Sequence, residues 1–237
     1  MASSRDYNAR LFGVPVRREI HLARFRWLER QLAALPEPPR RVLELGCFDC
    51  RSLAHFAVPP ERYVGVDANW EGGLDRARIR FADDPCIRLI EAARAAEVDL
   101  ADERFDLFLS LETLQYLHPP ELEVWLDLLG RHLRGTLLIV VPNYVGIVFL
   151  LRFLGKRLLG QRWRDCTPAE VLSITFGRTA DVANPPDAPI PRAFDWRDLV
   201  RRLKRRFAIE RIDSLPLSPL PPQLAFQIGI VARTREG

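Results

Sequence analysis

Short apolar runs that each end on a polar residue recur along the first 145 positions. The clearest lies in Arg41 to Ser52, RVLELGCFDCRS, where Val42, Leu43 and Leu45 flank one acid, Glu44, and Gly46 closes the run. A run this short predicts a buried strand, and Gly46 supplies the backbone angles of a sharp turn. Asp49 then stands where a helix N-cap would, ahead of a helical stretch from Ser52 to Ala57 that Pro59 and Pro60 stop. A second strand is predicted over Tyr63 to Val66, ending at Asp67, and a third over Ile87 to Ile90, ending at Glu91. Phe105 to Leu109 gives a fourth, ending near Ser110 and Glu112, followed by a helix from Pro120 to Leu133. Thr136 to Val141 gives a fifth, closed by Pro142 and Asn143.

Helical spacing also marks the flanks. Ile20, Ala23, Trp27, Leu28 and Leu32 predict a helix over Arg17 to Leu35 that packs on the side of the domain, ended by Pro36 to Pro39. Near the C-terminus, Asp195 predicts the cap of a helix through Arg206, with Trp196, Leu199, Val200 and Leu203 inward. Phe207 to Ile212 and Ala225 to Ala232 read as two last strands, and the ten-residue loop SLPLSPLPPQ between them predicts an antiparallel return.

Strands alternating with helices predict a parallel sheet covered on both faces, with the carboxyl ends of its strands on one edge. That edge would gather Gly46, Asp67, Glu91, Ser110, Glu112 and Asn143. Acids ending successive strands need hydrogen-bond donors, and ligand hydroxyls and amines supply them.

Composition narrows the class. At 237 residues, 48% hydrophobic, the chain buries a full core and is expected to be one domain, 1–237. Within it we divide an N-terminal helical segment (1–39), a core (40–142), an insertion (143–192) and a last helix with two strands (193–237). The net charge of +4 is carried by arginine, since Lys156 and Lys204 are the only lysines. Four cysteines are too few for a secreted disulfide framework, which points to a reducing cytoplasm. The first ten residues lack the apolar stretch of a signal peptide, and the uncharged run Gly135 to Leu151, broken by Pro142, falls short of the roughly 20 residues of a membrane span, so a soluble protein is expected.

Four segments in order, VLELGCFDC, YVGVDAN, RFDLFLSLETLQYL and GTLLIVVPN, resemble the motif series of class I S-adenosylmethionine-dependent methyltransferases. The resemblance covers roughly residues 40 to 145 closely and the last two strands more loosely. It implies an α/β, Rossmann-like, doubly wound fold: a mostly parallel seven-stranded sheet with an antiparallel last strand and helices on both faces. It also implies S-adenosyl-L-methionine as cofactor and no metal. Glu44 and Gly46 would line the methionine end, Asp67 accept from the ribose hydroxyls, Asn69 approach the sugar or adenine edge, Glu91 and Ala92 the adenine, and Ser110, Leu111 and Glu112 form the floor beneath the sulfonium. Phe48, Asp49 and Ala68 complete the expected cofactor-binding set.

The spacing is consistent with this independently. Asp67 follows Gly46 by 21 residues, about the separation at which a second-strand acid reaches a ribose held at the first turn. A dinucleotide oxidoreductase needs GxGxxG, whose positions here are Gly46, Phe48 and Arg51. The family's own later glycines are replaced too, by Phe48 and Cys50. Tyr116 stands where many members have a histidine after the fourth strand, and His118 is two residues on. His118 as a general base and Tyr116 as an aromatic wall for the sulfonium are the catalytic candidates.

Other signals are weaker. Cys47 and Cys50 form CxxC at a helix N-terminus, where a thiol pKa is lowered. Asn184 to Asp187, NPPD, is like the NPPY motif of nucleic-acid amino methyltransferases but lies in the insertion and ends in aspartate. Arg201 to Arg206, RRLKRR, reads as a phosphate-binding patch or a solvated helix face. In the insertion, Ile147, Val148, Leu150, Leu151, Leu154, Leu158 and Leu159, with Arg152, Lys156, Arg157, Arg162 and Arg164, read as a lid over the sheet edge, or else as a peripheral membrane contact through 145–164. The activity expected is methyl transfer to a small-molecule or glycan/lipid-linked acceptor, at oxygen. The alternatives are an RNA or DNA methyltransferase, although nucleic acid is not the partner expected, and a non-catalytic module that binds the cofactor.

Overall fold

The computed structural model describes residues 15–158, 160, 166–182 and 191–235. Helix α1 (Pro15–Ala34) precedes strand β1 (Arg41–Leu45) and β2 (Arg62–Asp67). Helix α2 (Gly73–Arg80), β3 (Ile87–Glu91), β4 (Phe105–Leu111) and α3 (Pro119–His132) follow. Strand β5 (Leu133–Pro142) leads into α4 (Gly146–Leu158) and α5 (Pro168–Thr175), and the chain closes with α6 (Trp196–Leu203), β6 (Phe207–Leu215) and β7 (Gln227–Thr234).

One seven-stranded sheet runs β3-β2-β1-β4-β5-β7-β6. Its strands are parallel except β7, which lies antiparallel to both β5 and β6. This is the doubly wound, Rossmann-like architecture expected. The pleat sends alternate residues to opposite faces, so strands covered on both sides read as near-continuous apolar runs. One face buries Leu43, Val64, Phe108 and Leu137 beneath Trp125 and Leu129 of α3 and Leu199 and Leu203 of α6. The other buries Val42, Tyr63, Leu107 and Leu138 beneath Trp27 and Leu28 of α1 and Leu74 of α2. Helix α1 is fastened further by Trp27, whose indole N–H donates to Asp213 at 2.7 Å.

The register brings the strand ends to one edge. Gly46 N donates to Val66 O (2.7 Å), Ala92 N to Asp67 O (3.0 Å) and Glu112 N to Val140 O (2.7 Å).

Several local expectations are corrected. Helix α2 has no counterpart in the sequence reading, because its charged surface leaves only Gly73, Leu74 and Ala77 buried, too few for a visible apolar period. The stretch after β1 is a 3-10 turn (Arg51–His55) whose N-cap is Cys50, in the left-handed region, and Asp49 instead accepts from Arg51 Nη2 at 3.1 Å. Helix α6 ends at Leu203, short of Arg206, while Asp195 does cap it, accepting from Arg197 N at 2.8 Å. Strand β6 runs on to Leu215, taking the first two residues of SLPLSPLPPQ into the sheet.

In the insertion, Thr167 and Glu170 cap α5 reciprocally, and Phe149, Ile174, Val182 and Ala193 form a small separate core. Leu159, Arg162, Arg164 and the NPPD segment lie outside the described residues. Among the described residues no helix is long and apolar enough to cross a membrane.

Candidate functional site

The turn after β1 explains how the chain tolerates its lost glycines. Gly46 has φ 77°, and a Cβ there would stand 1.8 Å from Thr113 Oγ1, so this position requires glycine. Phe48 (φ 49°) and Cys50 (φ 55°) also take left-handed angles, keeping a glycine-like path at a cost of about 1 kcal/mol or more each. Packing offsets that cost. The Phe48 ring lies against Gly73, where a Cβ would come within 2.2 Å of it, and under the Arg76 guanidinium at 5.1 Å. Cys50 is fully buried. The CxxC reading is corrected here: a hydrogen bond with Cys50 and burial push the Cys47 thiol up, away from the reactive thiolate.

Asp67, at the end of β2, accepts from Phe48 N (3.0 Å) and Trp70 N (3.3 Å). Burial raises its pKa, and these backbone bonds oppose the rise. A carboxylate has about four acceptor positions, so Asp67 still offers oxygens to ligand hydroxyls. Ala68 is exposed beside it, Asn69 accepts from Asp75 N at 3.3 Å, and Ala92 is buried next to it. Glu91 points outward and pairs with Arg78 at 2.8 Å.

Glu44 is enclosed beneath the turn. Its carboxylate accepts from the Ser52 hydroxyl and from the Tyr63 hydroxyl (2.6 Å), and desolvation lifts its pKa to about 7 against those two bonds. That placement holds the turn from below.

Beyond β4, Glu112 has φ 64° and pairs with Arg24 of α1. Gln227 Nε2 donates to Glu112 Oε1 at 2.6 Å, and Gln115 Nε2 donates to the Glu112 carbonyl at 2.6 Å. Arg24 and Gln227 escaped the sequence reading; an arginine among the inward residues of an amphipathic helix was the available signal. Ser110 Oγ, Gln115 Oε1, Gln227 Oε1 and Arg24 Nε, like the indoles of Trp125 and Trp196, are buried without a hydrogen-bond partner among the described residues. Asp67, with acceptor positions left over at the mouth of the Gly46 turn and exposed Ala68 beside it, fits the hydroxyls of a nucleoside-type cofactor.

Asn143 does not join them. It is fully buried, donating to Pro222 O, Gln223 O and Ala225 O while its Oδ1 accepts from Val145 N, so it fixes the approach to β7. Tyr116 is exposed in a 3-10 turn after β4, and His118 is the half-buried N-cap of α3. Among the described residues no cluster of His, Cys, Asp and Glu suits a metal. A cavity of about 280 Å³ lies beside the start of α4, lined by Val145, Gly146, Thr175, Phe176, Gly177, Trp196, Arg197 and Gln223.

Comparison with known proteins places the fold. A family model described as a methyltransferase domain matches residues 42–135. No curated protein sequence matches the chain. Among solved structures, an S-adenosylmethionine-dependent methyltransferase from Clostridium acetobutylicum superposes with a TM-score of 0.66 at 12% identity, covering 97% of this chain and 98% of that one. The N-methyltransferase NodS from Bradyrhizobium japonicum, solved with S-adenosyl-L-homocysteine, gives 0.56 at 17% identity, over 98% and 94%. A TehB-like methyltransferase from Corynebacterium glutamicum gives 0.57 at 16%, over 96% and 93%. At these identities the shared property is the fold.

Proposed function

We propose that this chain, whose residues 42–135 match a methyltransferase-domain model, is a class I S-adenosylmethionine-dependent methyltransferase that methylates a hydroxyl oxygen of a small-molecule or glycan/lipid-linked acceptor. The observation that carries the reading is the juxtaposition of Gly46, Asp67 and Glu112 on one edge, with Asp67 keeping acceptor positions beyond its bonds to Phe48 N and Trp70 N.

S-adenosyl-L-methionine supplies a methyl group already activated on a sulfonium, so the chain's task is positioning. Asp67 takes the ribose hydroxyls, the backbone around Gly46 seats the methionine end, and Ala92, buried beside Asp67, packs against the adenine. Glu112, held by Arg24 and Gln227, fixes the floor. His118, at the start of α3, is the base for a hydroxyl proton, and Tyr116 is an aromatic wall beside it. The test is transfer of labelled methyl to a panel of hydroxylated small molecules and glycolipids, with the product mapped by mass spectrometry. Label on oxygen, with turnover falling on the order of 100-fold in His118→Ala, is expected. Label on nitrogen, or a His118→Ala enzyme as fast as wild type, overturns the reading.

The lipid-linked branch has its own support. Ile147, Leu151, Leu154 and Leu158 share one face of α4 and are 46%, 59%, 47% and 88% exposed, while Val148 and Phe149 turn inward. A lid would bury that stripe; a peripheral contact with an anionic lipid surface, with Arg157 beside the stripe in the last turn, uses it. Weighing against the nucleic-acid alternative, Arg201, Arg202 and Arg206 are paired with Asp198, Glu123 and Asp127. A cytoplasmic location belongs to the same proposal, since the buried thiols of Cys47 and Cys50 stay reduced there.

A further inference from the structure

Helix α4 carries one more group toward the site. Arg152 lies on the face of α4 opposite the exposed stripe, and it is half-buried. Its guanidinium sits between two rings, 5.5 Å from the Tyr144 centroid and 5.2 Å from that of Phe226. Its one hydrogen bond among the described residues runs from Nη2 to the Phe226 carbonyl at 2.9 Å. A guanidinium has five N–H donors, so among the described residues most of this one's capacity is unspent. Every arginine that pairs with Glu123 or Glu103 has a carboxylate within 4 Å; Arg152 has none among the described residues, and the acid that acts on it across space, Glu112, is already held by Arg24.

Its position ties it to the acceptor side of the edge. The Phe226 carbonyl that receives Arg152 also receives Asn143 N (3.0 Å), at the end of β5, and the next residue, Gln227, donates to Glu112. Arg152 is thus joined to Glu112, the residue after β4, through two hydrogen bonds and one peptide bond. A partly desolvated cation, backed by aromatic faces and presenting a planar fork of donors, is complementary to an oxyanion. We propose that Arg152 binds an anionic group, carboxylate or phosphate, on the acceptor, a specificity contact that rests on the methyltransferase reading. Desolvation lowers the Arg152 pKa, and an anion seated on the fork would reverse that penalty. The competing role is a latch, in which Arg152 only pins α4 to the segment before β7.

The test is calorimetry on the full chain saturated with S-adenosylhomocysteine, titrated separately with sodium phosphate and sodium benzoate to roughly 10 mM, a range that detects millimolar affinity. Wild type is expected to bind at least one of the two. The anion that binds identifies the source, phosphate or carboxylate. Arg152→Gln should lose about tenfold or more in that affinity, with S-adenosylhomocysteine affinity unchanged, and Arg152→Lys should fall between them. Thermal unfolding of each variant checks folding. Binding of neither anion, or equal anion affinity in Arg152→Gln, overturns the proposal, and a lowered unfolding midpoint with unchanged anion affinity leaves the latch alone. Failure of S-adenosylhomocysteine itself to bind wild type would instead overturn the reading beneath it.

Discussion

Arg24, in the N-terminal helix, pairs with Glu112 at the end of β4 across 88 positions of sequence. The two side chains are 12% and 15% exposed, so the pair is largely withdrawn from water. Helix α1 therefore does more than cover a sheet face. It sets the position of an acid on the edge where we propose that the cofactor binds.

Removing one partner of such a pair leaves the other charge buried. Arg24→Met should destabilise the fold by about 3 kcal/mol, whereas Arg24→Met with Glu112→Gln, which removes both charges, should recover most of that loss. Urea unfolding of the single and double variants measures the difference. Equal stability of Arg24→Met and wild type would show that the pair does not hold α1 to the edge.

Glu44 makes stability depend on pH. Its folded pKa, about 7, lies above its ordinary value of 4.5, so the folded state holds a proton that the unfolded state releases earlier. That contribution is complete below pH 4.5, is lost as pH rises toward 7, and is gone above it. The loss is on the order of 3 kcal/mol. Glu44→Gln, still able to bond Ser52 and Tyr63, should flatten this window and be more stable than wild type at pH 8. A wild-type stability curve level across the window would contradict the enclosed carboxylate.

Gly46 is bound to its place by both conformation and space. Gly46→Ala puts a Cβ at a positive φ and into Thr113, a cost of about 2 kcal/mol or more. Adding Thr113→Ala removes Oγ1 and Cγ2 but leaves Thr113 Cβ 2.6 Å from the new Cβ, so it should recover only part of the steric cost and none of the conformational cost. Chemical denaturation of the two variants separates them, and an undiminished Gly46→Ala would mean the turn has another shape.

The strands were legible because burial on both faces turns each into an apolar run, and the edge was legible because Gly46, Asp67 and Glu112 each end one. What escaped depends on distance or on surface. Arg24 and Gln227 reach Glu112 from 88 and 115 positions away, separations that no local pattern encodes. Helix α2 was missed because little of it is buried. Asn143 read as a ligand group, since its type and place at a strand end fit one; only the three carbonyls around it show that its amide is spent. The α4 stripe was visible as leucines, but its outward direction was not.

That direction has a consequence at a lipid surface. Flotation with vesicles containing anionic phospholipid should carry the wild-type protein, and Leu151→Glu with Leu158→Glu should abolish binding without changing the unfolding midpoint. Retention by neutral vesicles alone, or by none, would remove the lipid-linked branch.

The central claim is that the edge holding Gly46, Asp67 and Glu112 binds the methyl donor, and titration with S-adenosylhomocysteine tests it most directly. Wild type should bind at one site, and Asp67→Ala, folded by circular dichroism, should lose about 100-fold in affinity, the equivalent of two hydroxyl bonds to a carboxylate. A folded wild-type chain that binds nothing at millimolar ligand, or an Asp67→Ala chain with wild-type affinity, would contradict it.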